Sequence, residues 1–438
     1  MKRNRVIPLL MALLLFAGSS YGGLVDYINR PDDSYCYEIV ETMPIAEGTV
    51  IKASLTSQTW QGIAWKHWLA IMVPETVTHP DNMILVIAGG NNRETPPGLD
   101  GGEVRAAIQV AVATNSAIAL ITQVPNQPLF NGLREDQIIA YTYDKFLKSE
   151  GDDWPLLLPM AKSAVKAMDA VQDIMQNEVN QKVKGFLLTG GSKRGWTSWL
   201  AAASGDKRVI AIAPAVIDML NIEPQMHHQL QAYGSYSNQI DDYTDLQLQE
   251  RMQSEKGKKL QAMVDPYSYK EKLTMPKLLI LGTNDPYWTV DAANFYFSGL
   301  PGEKHLIYQP NTGHDISLEG ISALSHFFYA IQQGLSYPKI SWEKTARDKM
   351  VVSWTKQSGQ AYLWTAESEN RDFRDARWIS KPLKAENRVD VTMNAPESGW
   401  KAFYIEIRWE GELLFPYGNC TEITVLPDAM PFDANGNK

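Results

Sequence analysis

From about residue 26 to residue 334, continuous apolar runs alternate with stretches whose apolar positions recur every three or four residues. MILVIAGG at residues 83–90 is an unbroken apolar run ending in glycines, the pattern of a strand buried on both faces of a parallel sheet. Residues 104–113 predict a helix and residues 116–121 a strand. In residues 160–179, Ala164, Met168, Val171 and Met175 fall on one helical face. A strand at 183–189, a glycine-flanked turn and a helix through Ala203 follow, then strands at 209–213, 277–281 and 305–308 and a helix at 318–333. This rhythm predicts helices layered on a mostly parallel sheet. Residues 224–264 break it with a long, polar, helical insertion, read either as a cap over the carboxyl ends of the strands or as a solvated structural addition.

After Ser341 the period changes to two. VVSWT, AYLWTA, RVDVTM, KAFYIEIRW and TEITVL are short alternating runs between polar turns, which predict a small antiparallel β-sandwich of the fibronectin III type over residues 340–430. Six of the 13 tryptophans fall here: Trp342, Trp354, Trp364, Trp378, Trp400 and Trp409. Core positions are the expectation for them, with sugar-stacking surface positions as the alternative. The predicted organisation is a leader at 1–22, an α/β domain at 23–335 and the sandwich.

The leader expectation comes from MKRNR, an apolar stretch at residues 6–18 and small residues after it, with cleavage after Gly22 and, as alternatives, after Ser19 or Ser20. The run is shorter than the roughly 20 residues a membrane span needs. Export and no stable membrane anchor after cleavage follow as expectations. Loss of Lys2, Arg3 and Arg5 with the leader takes the formal charge from −9 to −12. An acidic chain lacks the basic footprint of nucleic-acid binding. Two cysteines exclude a disulfide-dense scaffold, and Cys36 and Cys420 stand either as a bridge joining the two ends or as separate thiols.

The most informative stretch is KVKGFLLTGGSKRGWTSWLAAA, residues 182–203. A serine between a strand and a helix, with glycines on both sides, reads as the nucleophile elbow of an α/β-hydrolase fold. Here Arg194 occupies the usual glycine position and Gly195 follows, a shifted form that resembles the G-x-S-R-x-G elbow of glucuronoyl esterases more than that of lipases. The acid and base candidates come later, each just past a predicted strand: Asp285 in LLILGTNDPYW and His314 in YQPNTGHDISLEG. Serine, acid, histidine is the chain order of this fold, so Ser192, Asp285 and His314 are the candidate triad. Asp315 is a rival acid by type. The N–H of Lys193 is one expected oxyanion donor. For the second, the loops at 88–92 and 123–127 compete, with the preference given to Gln123, Asn126 and Gln127. Lys193 and Arg194 put two cations beside the nucleophile, for an oxyanion, a substrate carboxylate or an ion pair under the elbow. His227 and His228 lie in the insertion, lining the cleft or facing solvent. No HExxH motif or carboxylate cluster argues for a metal, and no cofactor is expected.

Residues 54–74, GGSKRGWTSW at 190–199, VDPYSYKEKL at 264–273, GTNDPYW at 282–288 and PNTGHD at 310–315 together resemble the PhoPQ-activated pathogenicity-related proteins. The resemblance implies an exported α/β-hydrolase-like protein, tied in bacteria to the response that resists antimicrobial peptides, and Ser192, Asp285 and His314 match the triad positions. The leading expectation is a serine hydrolase acting on a small-molecule ester. A peptidase with the same triad and a non-catalytic exported binding or signalling protein are the alternatives.

Overall fold

The computed structural model describes residues 23–411, 413, 415–433 and 435–437. The expected leader at 1–22 lies outside the described residues. The chain starts with α1 (Leu24–Asn29) and three strands, β1 (Cys36–Ile45), β2 (Gly48–Trp60) and β3 (Ile63–Pro74). Next come β4 (Asn82–Ile87), α2 (Gly102–Thr114), β5 (Ile118–Ile121), α3 (Asp136–Leu147), α4 (Leu157–Glu178), β6 (Gly185–Gly191), α5 (Lys193–Ala203) and β7 (Val209–Ala215). Four helices follow, α6 (Ile222–Tyr233), α7 (Asp241–Thr244), α8 (Leu248–Arg251) and α9 (Glu255–Val264), then β8 (Lys277–Gly282), β9 (Lys304–Gln309) and α10 (Leu318–Gln332).

All nine strands form one sheet in the order β1-β2-β3-β5-β4-β6-β7-β8-β9. From β5 to β9 every neighbouring pair is parallel, while β1, β2 and β3 add antiparallel strands at one edge. Helices α2 and α10 pack together, and α1 and α5 both pack on α4. The central strands are therefore covered on both faces and read as unbroken apolar runs. Ala164, Met168, Val171 and Met175 of α4 are all buried, as their spacing predicts. This is the α/β-hydrolase fold. The chain steps outward from β4 to β5, then returns past β4 to β6, so the loops leaving β4 and β6 part in opposite directions. The crevice between them, at the carboxyl ends of the strands, is where such a sheet holds ligands.

The C-terminal region contributes β10 (Ile340–Ala346), β11 (Lys349–Trp354), β12 (Gln360–Ser368), β13 (Ile379–Leu383), β14 (Arg388–Thr392), β15 (Trp400–Trp409), β16 (Tyr417–Cys420) and β17 (Thr424–Leu426). They form two antiparallel sheets, β10-β11-β14 and β13-β12-β15-β16 with β17 also on β15. Trp354, Trp378 and Trp409 are buried core, while Trp342, Trp364 and Trp400 are half-buried. Strand β16 lies against β9, where Asn419 Oδ1 accepts from Leu306 N at 3.2 Å and Cys420 Sγ from Tyr308 N at 3.5 Å.

That contact rules out the bridge considered for the two cysteines, and both thiols are free. Cys36 begins β1 at one edge of the sheet, and Cys420 is buried against β9 at the other. Eight interstrand steps of roughly 4.8 Å separate those edges, on the order of 40 Å, against the ~6 Å between Cα atoms that a disulfide spans.

Candidate active site

Strand β6 delivers the chain to Ser192, which caps the N-terminus of α5 with φ 59° and ψ −130°. That backbone conformation is sparsely populated for a residue with a side chain and is held from outside. Part of the hold is Ser192 N donating to Ala215 O at the end of β7, at 2.9 Å. The displaced glycine of the motif has a steric cause. A Cβ on Gly195 would lie 2.7 Å from Ile217 Cγ2 and 2.8 Å from Gly190 O, so this is the helix position that presses on the strand ends. Arg194 turns away, over Gly89, where any Cβ would collide with its guanidinium. Its Nε donates to Val124 O at 2.6 Å and its terminal nitrogen to Glu135 Oε1 at 2.7 Å.

The loops after β8 and β9 bring Asp285 and His314 together. His314 Nδ1 lies 2.8 Å from Asp285 Oδ2, and Tyr287 N donates to Asp285 Oδ1 at 3.0 Å. With the carboxylate as acceptor, Nδ1 carries the proton and Nε2 presents its lone pair. Nε2 is buried and has no hydrogen-bond partner, so no bond joins it to Ser192 Oγ in this state. The Tyr287 ring packs on the imidazole, centroids 4.4 Å apart. Asp315, the rival acid, is exposed and accepts from Ile316 N at 2.7 Å.

The loop at 123–127 does not take the place expected of it. Gln123, Asn126 and Gln127 are buried, and their amides hold the scaffold. Gln123 Nε2 donates to Lys66 O and Asn92 Oδ1, both at 3.2 Å, and Asn126 Nδ2 also donates to Lys66 O. Gln127 exchanges two bonds with Glu135, at 2.6 and 2.8 Å. The loop after β4, residues 88–90, lines the cleft beside Gly191 instead. This follows from strand order, because β4 and not β5 adjoins β6. The N–H of Lys193, in the first turn of α5, has no acceptor within the helix. Its side chain, 7% exposed, pairs with Glu135 at 2.9 Å and Asp136 at 3.3 Å. The two cations after Ser192 are thus neutralised from the start of α3.

Glu135 and Asp136 escaped the sequence reading. They sit nearly 60 residues from the elbow, and an acidic helix start has an ordinary explanation in the helix dipole. Burial alone would raise the Glu135 carboxyl, but hydrogen bonds and charge from Arg194 and Lys193 outweigh it and hold it at about 2. Asp136 accepts from Tyr243 of α7 at 2.9 Å and from Tyr287 at 3.4 Å. The inserted helices therefore connect directly to the residues around Ser192.

A second set of missed contacts comes from the C-terminal region. Asn284 Nδ2, beside Asp285, lies 2.7 Å from Ala376 O, 2.9 Å from Arg374 O and 3.3 Å from Phe373 O. Asn311, just before His314, exchanges two bonds with the Trp378 backbone at 3.1 and 2.8 Å. His228 of α6, Asp291 and Arg371 form a buried ion group, with Asp291 2.8 Å from His228 and 2.9 Å from Arg371. His227, in contrast, is exposed at the rim of a cavity under the inserted helices. Among the described residues, no group of three or more His, Cys, Asp or Glu side chains is arranged to hold a metal ion. No helix among them is long and apolar enough to cross a membrane.

The sequence pattern of the PhoPQ-activated pathogenicity-related protein matches residues 24–374. The chain belongs to that family. The autocrine proliferation repressor protein A of Dictyostelium discoideum is 30% identical over 473 residues, covering 97% of this chain and 94% of that protein. The fold is similar to that of an acetyl xylan esterase from Paenibacillus sp. R4, at 13% identity and a TM-score of 0.49 over 70% of this chain and 92% of that one. It is also similar to a glucuronoyl esterase from Solibacter usitatus, at 15% identity and a TM-score of 0.41 over 69% and 87%. At these scores the strand order, not the likeness, carries the fold of this family member.

Proposed function

We propose that this protein is an exported serine hydrolase that cleaves an ester through an acyl-enzyme on Ser192. The observation that carries the reading is the Asp285–His314 bond of 2.8 Å, which leaves a buried, unclaimed Nε2 at the same carboxyl-terminal end of the sheet's strands as the strained Ser192. In this mechanism Ser192 Oγ attacks the ester carbonyl carbon while His314 Nε2 takes its proton. Asp285 holds the imidazole tautomer and stabilises the imidazolium. The N–H of Lys193 and one from the loop after β4 stabilise the oxyanion. Collapse expels the alcohol, protonated by His314, and water then attacks the acyl-enzyme by the reverse route. Apo hydrogen bonds of such sites are often long and tighten on substrate binding, which accounts for the open Nε2. Export is supported by the apolar, basic-flanked start of the sequence.

A fluorophosphonate probe tests this. Labelling of the mature protein is expected to vanish in Ser192→Ala and to fall by about 10³-fold or more in His314→Ala and Asp285→Asn. A folded wild-type protein that takes no label would overturn the reading. The name of the Dictyostelium relative, a proliferation repressor, favours a second reading as a non-catalytic signalling protein on a hydrolase scaffold. That reading predicts full biological activity in Ser192→Ala.

A further inference from the structure

The inserted helices α6–α9 are polar outside, but they roof a cavity of about 320 Å³. Its walls include Trp196, Met219, Met226, Leu248, Met252 and Trp288. At roughly 30 Å³ per water this is room for about ten. Methionines are the side chains that adapt to varied apolar guests.

Three of these walls, Trp196, Met219 and Trp288, stand close in the chain to the elements that carry the candidate triad. Trp196 lies one helical turn past Ser192 on α5, roughly 6 Å along the axis. Met219 follows β7, whose last residue accepts the Ser192 N–H. Trp288 stands three residues past Asp285, and its neighbour Tyr287 packs on His314. A chain of polar contacts runs from the cavity wall to the residue after Ser192. Tyr243, itself a cavity wall, donates to Asp136 at 2.9 Å, and Asp136 lies 3.3 Å from Lys193 Nζ. The other flank of the elbow is mixed, with an apolar pocket of about 470 Å³ between Val86, Ala107, Gly191 and Leu324 beside a charged cleft. That cleft, open and of about 690 Å³, runs between Gly89, Gly90 and Gly191, lined by Arg93, Asp100, Glu103, Glu135 and Arg194.

We propose that the substrate is divided the same way: an ester joining an apolar acyl chain, received in the cavity under α6–α9 past Tyr243, to a hydrated, hydrogen-bonding alcohol held in the charged cleft. This rests on the serine-hydrolase reading and adds the substrate class. A short polar ester leaves the cavity empty, whereas a chain of about eight carbons fills it.

Glycerol monoesters from acetate to decanoate, below their micelle concentrations and followed by proton release, test the assignment on the mature full chain. Expected is a rise in kcat/KM of roughly threefold per methylene up to a plateau near eight carbons. Met226→Trp and Met252→Trp, on different helical segments, should each lower the octanoate-to-acetate ratio at least tenfold. Calorimetric titration of Ser192→Ala with uncleaved glycerol monooctanoate reads the cavity without chemistry, and adding Met226→Trp should weaken that binding at least tenfold. Ser192-dependent turnover with no chain-length preference, or ratios unmoved by both tryptophans, overturns the cavity assignment and leaves the hydrolase reading standing. Absence of turnover, with octanoate binding that Met226→Trp still weakens, overturns the hydrolase reading and supports the cavity.

Discussion

Replacing Asn284 by alanine isolates what the C-terminal region does for the site. The amide nitrogen of Asn284 carries two hydrogens and faces three carbonyls, at 2.7, 2.9 and 3.3 Å, so two full bonds to Ala376 and Arg374 are the realistic count. Each contributes about 0.5–1.5 kcal/mol net, and leaving a half-buried carbonyl without a donor adds to the loss. Asn284→Ala should therefore destabilise the protein by about 2–4 kcal/mol. The loop it releases carries Asp285 in the very next position, so His314 should lose its fixed orientation as well. Asn284→Asp keeps the shape but sets a carboxylate against the same carbonyls, and should be worse than alanine in both respects. Urea unfolding followed by tryptophan fluorescence reads the first effect. The rate of fluorophosphonate labelling under conditions where the variant is folded reads the second. An Asn284→Ala protein within 0.5 kcal/mol of wild type and labelled at the same rate would refute the reasoning, as would an Asn284→Asp protein more stable than the alanine variant.

Other predictions follow from the buried charges and the thiols. Arg371→Met removes one partner of the Asp291 carboxylate, whose side chain is 8% exposed, and should cost about 3–5 kcal/mol in urea unfolding; a loss under 1 kcal/mol would contradict a buried ion group. Asp218 accepts from the Tyr296 hydroxyl at 2.7 Å, and burial, opposed by that bond, pushes its carboxyl up to about 8. The folded state then holds a proton that the unfolded chain has released between about pH 4 and 8, so stability declines as pH rises through that window, by at most about 1.4 kcal/mol per unit. Asp218→Asn should flatten that slope, and equal slopes between pH 5 and 8 would count against it. Glu135, held at about 2, works the other way: the support it gives the elbow is present above the unfolded value and lost as pH falls toward 2. Glu135→Gln should accordingly slow labelling at neutral pH. Cys36 should react at once with a thiol reagent and Cys420 only on unfolding, whereas a mature protein with no reactive thiol would restore the bridge.

Much of the scaffold is legible in the chain because burial on two faces leaves an unmistakable pattern. MILVIAGG and the α4 face carry it, and each predicted strand from 83 onward has its counterpart in the sheet. The triad candidates are legible for a different reason: each stands just past such a strand, and parallel strands put all three at the same carboxyl-terminal end of the sheet. What could not be read depends on neighbours distant in sequence. The choice between the loops at 88–92 and 123–127 turns on which of β4 and β5 adjoins β6, a fact of sheet order that periodicity does not encode. Glu135 and Asp136 become partners of Lys193 and Arg194 only once α3 and α5 are packed. The same holds for Asn284 and Arg371, whose partners lie about 80 to 90 residues away. The polar composition of residues 224–264 hid a cavity because only the inner turns of those helices are apolar.

The central claim is a covalent one, so the most direct measurement is of the covalent species. A slow-turnover activated ester mixed with the mature protein, quenched in acid within the first turnover and mapped by peptide mass spectrometry, should show one acyl group on Ser192. The adduct should be lost in Ser192→Ala and scarcely formed in His314→Ala. Acylation of a different residue, or the same adduct pattern in wild type and Ser192→Ala, would contradict the account.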